Sequence, residues 1–348
     1  MRIRALLIAA AVLLAGGAGF LAGRGGIPGD GDTAAETSSA TVTEDVTSAG
    51  PGFAPAAVPV DNDAELPEPG APLAAIHDTL VRRAAQGEAR AACRLAAEHE
   101  RCEVLRSQLR GAIAKTNRGP EWMERRLLEI DTEESRAQLQ TLRAHQSEQL
   151  AEQTRLVAQC DATAPLSPQA RARYWRQAAL AGHVPSMRHY AIGNAFRFHD
   201  LMDALPALQT YRREAEAVAT RAAKAGDVAS IYALAMAYAD LDGAYSRPFL
   251  AQTVTPDLAK ALAWFSVLER HPGITGLSPE HPVARNVARR RAELAAAATP
   301  SEGARAADLA AEAAVPRHVE PAIMLSPEGG IHDIAPDACS ESEFAAAR

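Results

Sequence analysis

A chain of 348 residues that is 47% hydrophobic but only 5% aromatic has ample material for a core, and must build it from Ala, Leu and Val. Scarce β-branched and aromatic runs argue for close-packed helices and against a sheet. Of the net charge of -7, residues 24–70 hold -8 (nine acids, one base); the remainder is near +1 (35 basic, 34 acidic), with no basic stripe suited to nucleic acid.

Met1–Arg4 (MRIR) is basic, and Ala5 to Gly23 is an uncharged run of nineteen residues. As a helix that run would rise about 28 Å, close to the ~30 Å of membrane hydrocarbon. The basic start places the N-terminus in the cytoplasm and the rest outside. Residues 1–23 are therefore expected to be an uncleaved signal anchor, or else a signal peptide cut near Gly16 and Ala18. In either case the body lies in the periplasm, held to the inner membrane by a single pass if the segment is uncleaved. Residues 24–70 are Gly, Pro, Ala, Thr, Ser and acid without an apolar period, and read as a disordered tether.

Pro72 opens the folded part, expected over 71–315. A helix with Leu73, Ile76 and Leu80 on one face stops at Gly87, and a second helix follows. Gly87, Gly182 and Gly226 align without gaps. An alanine stands three residues before each (Ala84, Ala179, Ala223), with Leu95, Tyr190 and Leu234 eight residues after. Such small-residue helices let neighbours approach closely, as a stacked helical repeat requires.

After the third unit, Val254, Asp257, Lys260, Ala261, Trp264 and Phe265 are spaced V-x-x-D-x-x-K-A-x-x-W-aromatic, and Tyr174 and Trp175 precede Ala178, Ala179 and Gly182. With these motifs the chain resembles the Sel-one-like (SLR) repeats, bacterial relatives of tetratricopeptide repeats, over roughly 72–102 and 168–272. The resemblance implies an all-α fold, an α-solenoid of helix pairs. It further implies a non-catalytic scaffold whose concave surface holds another envelope protein or peptide, without cofactor or metal. Trp175 and Trp264 are then expected between helices rather than in a ligand groove. Cysteine-rich SLR proteins, associated with β-lactam binding, are the rival resemblance, but they carry a cysteine pair in each repeat.

Residues 103–159 interrupt the units. Leu105, Leu109 and Ile113 continue a stripe, Asn117–Pro120 turns the chain, and a charged helix from Glu121 to Gln159 follows with a thin seam including Leu139, Leu142 and Leu150. This predicts an inserted helical hairpin, with a break at Asp131 where Glu134 gives capping-box spacing. Four helix starts are expected at Ser167-Pro168, Thr255-Pro256, Ser278-Pro279 and Thr299-Pro300, the last with Glu302 as a capping box. Residues 316–348 read as a tail, docked through Ile323, Met324 and Leu325.

Cys93, Cys102, Cys160 and Cys339 are an even set in an exported chain and suggest two disulfides. On one helix Cys93 and Cys102 would lie about 13 Å apart, too far to bridge. The pairing is not deducible; the preferred one ties the base of the insertion with Cys102–Cys160 and leaves Cys93 for Cys339. The histidines show no zinc motif. His183 and His189 are expected on a polar helix face, and Glu98-His99-Glu100 reads as a solvated charge run. No hydrolase nucleophile motif or phosphate loop occurs, so no catalytic residue is assigned.

Overall fold

The computed structural model describes residues 65–118, 125, 132–161, 163–240, 249–313, 333–342 and 344–345. All lie in the second of the two units into which the chain divides, Ala57–Arg348. The expected anchor at 1–23 and the docking residues Ile323, Met324 and Leu325 lie outside the described residues. Among the described residues no helix is long and apolar enough to cross a membrane.

The secondary structure of the described residues is helical: α1 Leu73–Ala85, α2 Ala89–Arg118, α3 Glu133–Ala158, α4 Pro168–Leu180, α5 Val184–Ile192, α6 Leu205–Ala225, α7 Val228–Ala239, α8 Leu258–Glu269, the single turn α9 Pro272–Thr275, α10 Pro282–Ala297 and α11 Pro300–Glu312. Three short 3-10 turns and one isolated bridge, His183 to Phe344, complete it. From α4 to α8 each helix packs on the next, α2 joins the series through α4, and α4 also meets α6 as α5 meets α7. α10 and α11 both pack on α8.

The aligned glycines have one physical role. Gly87, Gly182 and Gly226 all take a left-handed backbone, with φ of 98, 95 and 105°. Each donates its N–H to the carbonyl of the alanine three residues back (Ala84, Ala179, Ala223), and the following residue donates to the carbonyl five back (Arg83, Ala178, Ala222). Those paired bonds define a Schellman turn, which satisfies the free carbonyls ending a helix and demands a residue without Cβ penalty. Three such turns join α1 to α2, α4 to α5 and α6 to α7. The positions eight and nine residues on, Leu95-Ala96, Tyr190-Ala191 and Leu234-Ala235, are all buried.

α2 runs unbroken from the first unit into the insertion. α3 packs along it without a single fully buried residue, joined at its base by Cys102–Cys160 with Cα atoms 5.6 Å apart. α3 begins one residue later than Asp131 would place it, with Thr132 as the cap that accepts from the Ser135 N–H. Two of the four expected hydroxyl-proline starts occur, Ser167-Pro168 and Thr299-Pro300. The other two are displaced. Asp257 caps α8, and His281 caps α10 by accepting from the Val283 N–H. A carboxylate or imidazole with its own acceptor just downstream outcompetes the hydroxyl.

Both ends of the folded part reach further than composition suggests. Leu66, within the expected tether, is buried in the core. The C-terminal segment is attached through buried Ile334 and Cys339, the latter bonded to Cys93 with Cα atoms 5.5 Å apart. Further along, the Ala345 N–H donates to the Gly182 carbonyl at 2.8 Å.

Candidate functional site

A groove of about 550 Å³ lies between α2 and the C-terminal segment. Val104, Leu105, Ala97, Ile334 and Pro336 give it apolar walls, and Pro69-Gly70 closes one end. Beneath lies charge that local sequence does not reveal. Glu98, His99 and Glu100 are not a solvated run: they are 1%, 6% and 5% exposed. His183 and His189 are likewise buried rather than on a polar surface.

Glu98 is held from two sides, by Arg94 Nε at 2.8 Å and Arg101 Nη1 at 3.2 Å. Glu100 is a node between elements. Trp175 Nε1 donates to its Oε1 at 3.0 Å and Arg171 Nε approaches the same oxygen at 3.4 Å. His189 Nε2 lies 3.0 Å from Oε2 and Arg197 Nη2 lies 3.4 Å from it. The His189 ring also stacks on Trp175 with centroids 3.9 Å apart. One carboxylate thus fastens α2 to α4, to α5 and to the loop after α5. Burial pushes the Glu100 carboxyl up, but His189, Arg197 and Arg171 outweigh it and hold the group below its ordinary range. With two partners on each oxygen and its proton disfavoured, Glu100 is built to clamp helices, not to shuttle protons.

Arg197 carries the node to the rim, where Nη2 meets Asp333 Oδ2 of the C-terminal segment at 3.0 Å. At the next junction along the chain a different pair does the equivalent work. Arg188 of α5 donates to Asp227 Oδ2 at 2.6 Å, both buried, while Asp227 Oδ1 caps α7 through the Ser230 N–H.

Of the residues singled out from sequence, Gly87, Gly182, Gly226, Ala179, Ala223, Leu234 and Ala261 form turns and core. Asp257 caps α8 and accepts two hydrogen bonds from Arg305 at 2.6 and 3.1 Å. Trp175 is fully buried and Trp264 half-buried against the core. None of these lines the groove. The residues that do, Arg94, Arg101, Arg197 and Asp333 among them, belong to no motif; Arg94 and Arg101 pair with Glu98 on their own helix, whereas Arg197 and Asp333 meet across 136 positions. Comparison with protein-family models, with curated proteins and with solved structures finds no match.

Proposed function

We propose that this chain is a non-catalytic scaffold of the bacterial envelope, an α-solenoid of SLR-like helix pairs that holds another protein or a peptide. The observation that carries the reading is the set of three Schellman turns in register, each linking two helices that pack in succession. Such repeated pairs bury a continuous core and leave a long rigid surface, whose use is recognition rather than chemistry. The groove beside α2 supplies apolar walls on a base made stiff by the Glu98 and Glu100 clamps. Preorganisation of that kind lowers the ordering cost of binding. Export to the periplasm, with residues 1–23 as anchor and the acidic stretch before the folded part as spacer, places this surface within reach of envelope partners. Two disulfides fit an oxidising compartment.

The β-lactam-binding alternative draws no support from the cysteines. Cys93 pairs with Cys339 and Cys102 with Cys160, so neither bridge is the within-repeat pair of that group. A glycan-binding alternative calls for aromatic side chains in the groove, and among the described residues none lines it. In-cell crosslinking of a tagged full chain tests the scaffold reading. A discrete protein partner captured with the body and lost on deleting residues 71–315 supports it; capture of bulk wall or lipid alone contradicts it.

A further inference from the structure

Arg171 organises a second group of side chains outside the groove. Its Nη1 donates to Glu103 Oε2 at 2.9 Å and its Nη2 to Asp200 Oδ2 at 2.9 Å. One oxygen of each carboxylate is therefore committed to a planar fork that fixes both groups. The other oxygens are differently placed. Glu103 Oε1 lies 3.1 Å from His199 Nε2, and Asp200 Oδ1 is buried without a hydrogen-bond partner. Glu103, His199 and Asp200 each bring one ligand atom to within 4.8 Å of the others. Glu103 and Asp200 face a cavity of about 240 Å³ bounded also by Leu166, Arg106 and Arg110. His99, only 6% exposed, lines the same cavity, and its Nε2 too is unpartnered.

We infer that Glu103, His199 and Asp200 form a binding site for a divalent transition-metal ion of the zinc type, with Arg171 positioning the two carboxylates. One imidazole and two carboxylates are a donor set such ions accept, and three protein ligands leave a fourth tetrahedral position for water. The imidazole disfavours Mg²⁺ and Ca²⁺, which take oxygen ligands. Carboxylates that bind metals are themselves hydrogen-bonded, and the Arg171 fork fills that role. A buried carboxylate oxygen without a partner is costly, and a bound cation relieves it. The positive charges of Arg171, Arg106 and Arg110 around the site limit its affinity. The ion replaces the His199–Glu103 hydrogen bond and ties the 3-10 turn Phe198–Asp200 to α2. Phe198 lies in that turn and Met202 just beyond it, 89% and 78% exposed, so metal would stiffen an exposed apolar projection.

Calorimetric titration of the full chain, tag removed and chelator-treated, with Zn²⁺ and separately with Mg²⁺ tests the site. One Zn²⁺ per chain and no Mg²⁺ is expected. His199 is 71% exposed at its side chain, so His199→Ala should leave the fold intact and weaken Zn²⁺ at least about tenfold. Asp200→Asn, of the same shape, should act in the same direction. Absence of Zn²⁺ binding, Mg²⁺ binding as tight as Zn²⁺, or unchanged affinity in His199→Ala would each overturn the site.

Discussion

His183 sits where a charge is least welcome. Its Nδ1 pairs with Ser186 Oγ at 2.8 Å and its Nε2 with the Glu341 carbonyl at 3.2 Å. With the carbonyl able only to accept, the neutral ring donates from Nε2 and accepts at Nδ1 from the serine hydroxyl. Burial, with Arg90 and Arg188 nearby, brings its pKa down from 6.5 to about 4. His99 falls to about 4 as well, from burial and from His77 and Arg106. Between pH 6.5 and 4 the unfolded chain thus binds more protons than the folded one. Stability should be full above pH 6.5, fall as pH drops, and lose its histidine dependence below about 4. His183 contributes up to roughly 3 kcal/mol, and the less enclosed His99 less. Urea unfolding at a series of pH values measures this, and His183→Gln should flatten the slope; a parallel slope in that variant would contradict the assignment.

Gly182 offers a second test at the scale of one residue. A Cβ there would meet Arg221 Nη2 at 2.4 Å and the Ala345 carbonyl at 2.9 Å, on top of a φ of +95°. The arginine tip can move; the carbonyl belongs to the segment paired with Gly182 itself. Gly182→Ala should cost the ~1–2 kcal/mol of a left-handed alanine and also loosen the C-terminal segment. Hydrogen exchange at the Ala345 amide, which donates to Gly182, should speed up. An unchanged rate would show that the segment does not depend on its pairing with Gly182.

Among the elements, α8 is fixed at its start by one side chain. Asp257 caps it through the Lys260 N–H at 3.0 Å and reaches α11 through Arg305. Asp257→Ala should destabilise by about 1–2 kcal/mol, most of it the lost cap, since a partly exposed ion pair contributes less. Asp257→Asn keeps an acceptor for the cap and should recover most of that loss by thermal denaturation; equal losses in both variants would assign the effect to Arg305. Much at this scale was legible in the sequence. The glycine register marks helix ends because only glycine fits a left-handed turn at low cost, and that need is local. Thr255 and Ser278 do not cap, because Asp257 and His281, two and three residues on, supply the acceptor that starts the helix. The Glu98-His99-Glu100 run was illegible for the opposite reason. Glu98 pairs with Arg94 and Arg101 as an exposed helical run would. The partners that bury Glu100, namely Arg171, Trp175, His189 and Arg197, come from helices and a loop about 70 to 100 positions on, and nothing local distinguishes a buried clamp from a solvated face.

For the whole molecule, the junctions between units differ in a way that bears on binding. Between the second and third units, Arg188 meets Asp227 directly. Between the first and second, the corresponding positions are Cys93 and His183, and the C-terminal segment is interposed through Cys339 and the Glu341 carbonyl. The end of the chain is thus built into the first junction, where it forms one wall of the groove. Val104, 43% exposed, lies on the opposite wall, on α2. The most direct test of the scaffold reading is in-cell photocrosslinking from position 104, compared with position 293 on α10, a half-exposed site outside the groove lining. A discrete adduct with one partner from 104 and none from 293 is expected. The same adducts from both positions, or none from either, would contradict a role for the groove in holding a partner.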